Sequence, residues 1–206
     1  MLSVHQLCFV LFTVKHKKLL LRSLNVILQW FCIFMGYWGS LYSSTTLSGS
    51  PHINFMLSML AGAAGNFVYL FLPDKIGRKA TLLILELALG VCCIGAGILI
   101  HFETLPWLQT VFSMLSRVTA SACVKTVALF TAELFPTPIR NSAVGMGSFF
   151  GGLGGYVGFS LDILTSIWKP LPIFIFGVCC SFASILALFL PETKGTKLPE
   201  TIEDVL

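Results

Sequence analysis

The sequence predicts an all-α integral membrane protein, a bundle of six membrane-crossing helices. Three observations predict it. Of 206 residues, 56% are hydrophobic and only 11% are charged. The mean hydropathy is +0.89. The apolar residues gather into six continuous runs, each close to the roughly 20 residues a helix needs to cross about 30 Å of hydrocarbon. Ordinary soluble domains carry about 25% charged residues. On a small water-soluble fold this much apolar surface would be an aggregation site. The composition excludes a soluble enzyme, a disordered tail and a nucleic-acid-binding domain. The net charge of +4 does not indicate nucleic acid, because most basic residues sit at turns between apolar runs.

The spans read in order as Leu24–Ser43, Ile53–Leu72, Ala80–Ile100, Pro106–Ala132, Ser142–Leu164 and Pro170–Leu190. Residues 1–23 form a cytoplasmic N-terminal segment, 24–190 the transmembrane domain and 191–206 a cytoplasmic tail. The fourth span is longer than a crossing requires and is expected to tilt. Short connections make neighbouring helices antiparallel. A closed barrel is the other spanning solution, but its strands alternate and these runs are continuous. No signal peptide is evident: Leu7–Val14 is apolar but short, and its basic cluster follows it.

Lys and Arg set the orientation. Lys15, Lys17, Lys18 and Arg22 precede the first span, and Lys75, Arg78 and Lys79 follow the second. Arg140 lies between the fourth and fifth, and Lys194 and Lys197 follow the sixth. The opposite loops offer only Lys169. The positive-inside rule then places both termini in the cytoplasm. Cys8, Cys32, Cys92, Cys93, Cys123, Cys179 and Cys180 lie mostly inside apolar runs, without metal or redox spacing. They read as small hydrophobes. His5, His16, His52 and His101 are scattered, and no catalytic constellation appears. No cofactor or metal is expected.

Three short sequences stand at the cytoplasmic ends of the spans. Asp74-Lys-Ile-Gly-Arg-Lys79 joins the second and third. Gly77 there permits a tight turn, and Asp74 is placed to cap a helix or pair with a base. Ala132-Glu-Leu-Phe-Pro-Thr-Pro-Ile-Arg140 joins the fourth and fifth, with Glu133 and Arg140 flanking two prolines that forbid a continuous helix. Leu190-Pro-Glu-Thr-Lys-Gly195 follows the sixth and contains Glu192; Lys197-Leu-Pro-Glu-Thr-Ile-Glu-Asp204 comes next. Together, and on one membrane side, these motifs resemble the C-terminal half of a major facilitator superfamily transporter. The D-x-x-G-R-[KR] loop is similar to the one between that superfamily's eighth and ninth helices. The P-E-T-K-G ending resembles both its sugar porters and its organic ion transporters. The A-E-L-F-P-T-P-I-R-N stretch, the L-P-E-T-I-E-D tail, Tyr37-Trp-Gly39 and Leu47-Ser-Gly49 resemble the organic cation/anion transporters, solute carrier family twenty-two.

That resemblance implies half of a twelve-helix fold, helices seven to twelve, with the N-terminal half not represented. It implies transport of a small organic ion by alternating access, in the lipid bilayer of the plasma membrane. The partner would be an N-terminal transporter half or a second copy. Two alternatives stay open. One is a truncated, non-transporting membrane protein that associates with a full-length transporter or is inert. The other is a sugar-porter half.

Candidate solute contacts come first from the fourth span. Gln109, Ser113, Arg117, Ser121 and Lys125 recur every four residues, on one slowly winding helix face. Arg117 lies about 16 Å past Pro106 at 1.5 Å per residue. A charge near the bilayer centre costs at least about 2.5–3.5 kcal/mol, so this face must meet water, a counter-charge or solute. Arg117 reads as a cavity residue or as half of an internal ion pair. Lys125 reads as a solute or gate contact, or as a snorkelling side chain. The resemblance implies a cavity-lining helix with a basic residue at Arg117 and usually no charge at Lys125. It also implies an often acidic residue at position 62, a basic residue at position 66 in anion transporters, and at position 152 an acid in cation carriers or a base in anion carriers, so neither preference carries over here. Gly62, Asn66 and Gly152 leave them neutral. The surviving charge is positive, which favours an anionic or zwitterionic solute. Tyr37, Trp38 and Tyr42 read as packing or as interfacial belt; the resemblance, which places this segment on a cavity-lining helix, implies a stacking surface for an organic solute instead.

Asp74, Gly77, Arg78, Lys79, Glu133, Arg140 and Glu192 form a candidate conformational gate, or a set of topology anchors. Exposed pairs are worth about 0–1 kcal/mol each, yet a set of them can bias a two-state equilibrium. Residues 145–158 contain seven glycines. Gly147, Gly151 and Gly155 form a small-residue series, as do Gly154 and Gly158, that lets helix backbones approach closely. Their partner is a helix of the same half, or a second copy. Glu86 reads as an interfacial or paired acid, with proton coupling as the other possibility. Asp162 reads as solvated or paired with Lys169.

Overall fold

The computed structural model describes residues 17–45, 50–102, 105–195 and 199. The Leu47-Ser-Gly49 motif, Lys15, Lys197, most of the tail and the side chains of Tyr42 and Asp162 lie outside the described residues. Six α-helices make up the bundle: α1 Lys17–Thr45, α2 Pro51–Ile76, α3 Arg78–His101, α4 Pro106–Leu134, α5 Thr137–Ser160 and α6 Leu171–Ala187. A short 3-10 helix, Leu161–Ser166, leads from α5 towards α6. There are no strands among the described residues.

The helices differ from the apolar runs at their ends. Helix α1 is described from Lys17, seven residues before the apolar run at Leu24, because Lys and Arg are good helix formers although the run itself starts later. Helix α2 runs on through Pro73 to Ile76. Helix α5 begins at Thr137, since a proline in the first turn lacks an N–H that would be unpaired anyway. Its α-helical part ends at Ser160, four residues before the end of the apolar run. Helices α1, α2 and α3 are each long and apolar enough to cross a bilayer, and α6 is a shorter apolar helix. The stripe of polar groups lowers the apolar content of α4, and glycine and serine lower that of α5.

Helix α1 is the hub. It packs against α5, α4 and α6, while α3 packs against α4 and α6, and α2 against α4. One core cluster joins Trp30, Leu82, Val127, Phe130 and Ile139 near the end where α2 meets α3. A second joins Met35, Leu89, Cys93, Phe176 and Cys180 further along the helices. Polar ties cross between helices in the buried interior. The Gln29 side-chain amide donates to the Ala183 carbonyl at 2.8 Å, and the Trp30 indole N–H to Thr131 Oγ1 at 2.9 Å. The Ser184 hydroxyl donates to the Leu83 carbonyl at 3.0 Å. Helix α2 is the outlier, with Phe55, Met56, Leu60, Phe67, Leu70 and Phe71 all exposed.

The glycines of α5 lie against α1. A Cβ on Gly147 would meet the Trp30 indole at 2.6 Å, and one on Gly155 the Trp38 indole at 2.5 Å. A Cβ on Gly151 would stand 3.1 Å from the Phe34 ring. Gly154 faces the Phe31 carbonyl, and Gly158 the Met35 carbonyl at 2.7 Å. Both glycine rows therefore seat large α1 side chains and α1 backbone.

Candidate functional site: a cationic cavity wall and a charged latch

The α4 stripe divides. Steps of four residues overshoot a 3.6-residue turn by about 40° each, so its ends face directions about 160° apart. Arg117, Ser121 and Lys125 line a cavity of about 280 Å³ with Tyr37 of α1 and Gly62 and Asn66 of α2. Gln109 and Ser113 do not line it. Gln109 donates to the Leu99 carbonyl of α3 at 3.1 Å, and Ser113 is buried in the bundle. Trp38 also leaves the cavity wall. It lies edge-on to Tyr37, with ring centroids 5.5 Å apart, and 5.6 Å from Phe159 of α5.

Arg117 is 2% exposed. Its guanidinium carbon sits 3.9 Å above the Tyr37 ring centre, and Nη1 donates to the Tyr37 carbonyl at 3.0 Å. Its Nε has no hydrogen-bond partner. No acid pairs with it among the described residues, so the ion-pair reading gives way to a cation–π contact. A Cβ on Gly62 would stand only 3.7 Å from that Nε. The neutral position 62 is therefore the place from which an acid would reach Arg117. The Ser121 hydroxyl donates to the Gly62 carbonyl at 2.8 Å and stands 3.3 Å from the Asn66 amide oxygen. Lys125 is exposed on the cavity wall, with no ion pair among the described residues.

At the end of the bundle where α2 meets α3, the charged residues interlock. Gly77, at φ 112° and ψ 158°, is the single residue between α2 and α3. Arg78 bridges Asp74 at 3.2 Å and Glu133 at 3.2 Å. Asp74 thus pairs rather than caps. The cap on α3 comes from beyond α6: Glu192 Oε1 accepts the backbone N–H groups of Arg78 at 2.9 Å and Lys79 at 3.3 Å. It also accepts those of Thr193 at 3.0 Å and Lys194 at 3.1 Å. Partial burial alone would push the Glu192 carboxyl up, but these four donors hold it below the usual carboxylate range. Lys79 Nζ donates to the Leu188 carbonyl at 2.7 Å. Thr193, which sequence reasoning did not single out, donates to Glu133 Oε2 at 2.7 Å. A cavity of about 330 Å³ opens among Arg78, Glu133, Arg140 and Thr193. Arg140 reaches the Phe135 carbonyl at 3.4 Å and forms no ion pair among the described residues.

Glu86 is neither interfacial nor paired. It is 0% exposed, two helical turns into α3, and neither carboxyl oxygen has a hydrogen-bond partner. A lone acid near the end of an apolar run looks interfacial in sequence; its burial comes from packing against α1, α4 and α6. The six described cysteines are unbridged, and no cluster of metal-ligating side chains occurs among the described residues.

The described residues form an all-helical bundle with a charged cavity wall and an interlocked set of charges at one end. Solved structures agree on the fold. The major facilitator superfamily proton:xylose symporter XylE, bound to 6-bromo-6-deoxy-D-glucose, superposes with a TM-score of 0.71 at 24% identity, covering 85% of this chain and 40% of that one. A double-Trp mutant of XylE gives 0.74 at 20% identity, covering 86% and 41%. The chain has the fold of half a major facilitator protein. The family model described as "Sugar (and other) transporter" matches residues 7–205, and the chain belongs to that family.

Similar curated proteins include members of solute carrier family 22. Member 3 of Mus musculus is 34% identical over 89% of this chain and 33% of its own length. Member 1 of Oryctolagus cuniculus is 36% identical over 85% and 31%. The "Organic cation transporter protein" of Drosophila melanogaster is 31% identical over 92% and 34%. The chain spans about a third of the length of these relatives.

Proposed function

We propose that the chain forms one wall of a transmembrane pathway for a small organic ion, working by alternating access against a second six-helix half. The cavity shared by Arg117, Lys125, Tyr37, Asn66 and Ser121 carries this reading. Two cations on a bilayer-spanning helix are costly unless water or solute meets them. The opposing half is an N-terminal transporter half or a second copy, and the greater length of the relatives favours the former. The membrane is the plasma membrane, with both termini and the Arg78–Glu133–Glu192 latch on the cytoplasmic side. The Lys and Arg distribution supports that orientation. Opening and closing of the latch is the gating step.

The uncompensated Lys125 favours an anionic or zwitterionic solute, while the neutral positions 62, 66 and 152 favour neither charge. A cationic solute is the second reading. It is favoured by the engagement of Arg117 with Tyr37 and by the name of the Drosophila relative. Uptake of labelled organic anions and cations decides, in cells expressing the chain alone and with a family N-terminal half. Anion uptake that falls at least tenfold in Lys125→Gln supports the first reading. Cation uptake indifferent to Lys125→Gln supports the second. No uptake in either pairing, with co-purification of a full-length transporter, supports a non-transporting accessory chain.

A further inference from the structure

Glu86 is the one fully buried acid among the described residues, and the solute pathway above makes no use of it. An ionised carboxylate is an acceptor with about four lone-pair sites, and here none is used. The side chains one turn to either side on α3, Leu82 and Leu89, are fully buried hydrocarbon. The titratable groups that face Glu86 are thiols, Cys32 on α1, Cys123 on α4 and Cys180 on α6. A thiol is neutral or anionic, so none of them can act as its counter-ion. No lysine, arginine or histidine forms an ion pair with it among the described residues. Desolvating a bare carboxylate in such a place is prohibitive, and buried acids neutralise instead. Hard metal cations seek several oxygen ligands, whereas these neighbours are sulfur and hydrocarbon. A proton needs only the carboxyl itself.

We propose that Glu86 is an intramembrane proton-binding site, protonated while α1, α3, α4 and α6 are packed around it. The proton comes from water to a carboxylate oxygen as the helices fold around it, and returns to water on unfolding. No other bond changes. The proposal rests on the placement of α3 in the membrane and not on the solute, so it stands or falls separately from the transport reading.

The test uses the full chain in lipid nanodiscs. Infrared difference spectra between wild type and Glu86→Gln at neutral pH are expected to show the carbonyl stretch of a protonated, non-hydrogen-bonded carboxylic acid in wild type alone. A carboxylate doublet in its place overturns the proposal. Thermal unfolding gives a second readout. The folding constant of wild type relative to Glu86→Gln is expected to drop about tenfold per pH unit above the ordinary glutamate value of about 4.3, one proton being taken up on folding. A flat ratio overturns the proposal. So does stabilisation of wild type, but not Glu86→Gln, by sodium at fixed pH. If Glu86→Gln does not fold, wild type labelled with carbon-13 at its glutamate carboxyls gives the same two infrared outcomes. Glu103→Gln, Glu133→Gln, Glu192→Gln, Glu200→Gln and Glu203→Gln then assign the remaining bands.

Discussion

Arg117 rests its guanidinium 3.9 Å above the ring of Tyr37 and donates to the carbonyl of the same residue at 3.0 Å. Eighty residues separate the two in the chain. A desolvated cation–π contact is worth up to about 2 kcal/mol. Tyr37→Phe keeps the ring and the carbonyl and is expected to leave thermal stability nearly unchanged. Tyr37→Ala removes the ring beneath a buried cation and is expected to cost about 1–2 kcal/mol. Thermal unfolding of the two variants in detergent checks this. Equal losses in both would show that the hydroxyl, not the ring, matters.

The Glu192 cap is expected to make the junction of α2 and α3 acid-sensitive. Its carboxyl is held low by the N–H groups of Arg78, Lys79, Thr193 and Lys194. A carboxyl lower in the folded state than in the unfolded chain stabilises the fold above its ordinary value, about 4.3. That stabilisation is lost as pH falls through the depressed folded value. Wild type is therefore expected to lose stability on acidification below about pH 4.3 more steeply than Glu192→Gln. Parallel pH–melting curves for the two proteins would show that the cap contributes nothing.

What could be read from sequence is what composition and local spacing encode. The six apolar runs, broken by Pro, Gly and charge, announce six helices because hydrocarbon thickness dictates their length. Arg117 announces itself by cost alone. The hidden part is tertiary. The Glu192 cap joins positions 114 residues apart, and a helix start gives no sign that its cap arrives from the far end of the chain. The departure of Gln109 and Ser113 from the cavity follows from the drift of a four-residue repeat and could have been foreseen. The burial of Glu86 could not, because hydropathy counts residues on its own helix and not those of α1, α4 and α6.

Gly77 occupies a backbone region that only glycine visits readily, where other residues are strained by about 1–3 kcal/mol. A Cβ there would also stand 2.8 Å from Glu192 Oε2. Gly77→Ala is expected to lower stability by at least that strain and to loosen the cap. Combining it with Glu192→Gln tests the coupling. If the double variant loses the full sum of the two single effects, the residues act independently. A smaller loss is expected, because the first change already displaces the carboxylate.

The α1–α5 contact yields a paired prediction. At Gly154 a Cβ would run into the Phe31 carbonyl, which is backbone and cannot rotate away. At Gly152, two residues earlier, nothing lies within 4 Å of a Cβ. Overpacking typically costs about 1–3 kcal/mol, whereas Gly→Ala at an open helical site gains up to about 1 kcal/mol. Gly154→Ala is thus expected to destabilise the bundle and Gly152→Ala to leave it unchanged or stabilise it. Melting temperatures of the two variants, purified side by side, check the signs. If both glycines tolerate alanine, the α1–α5 interface is looser than its geometry indicates.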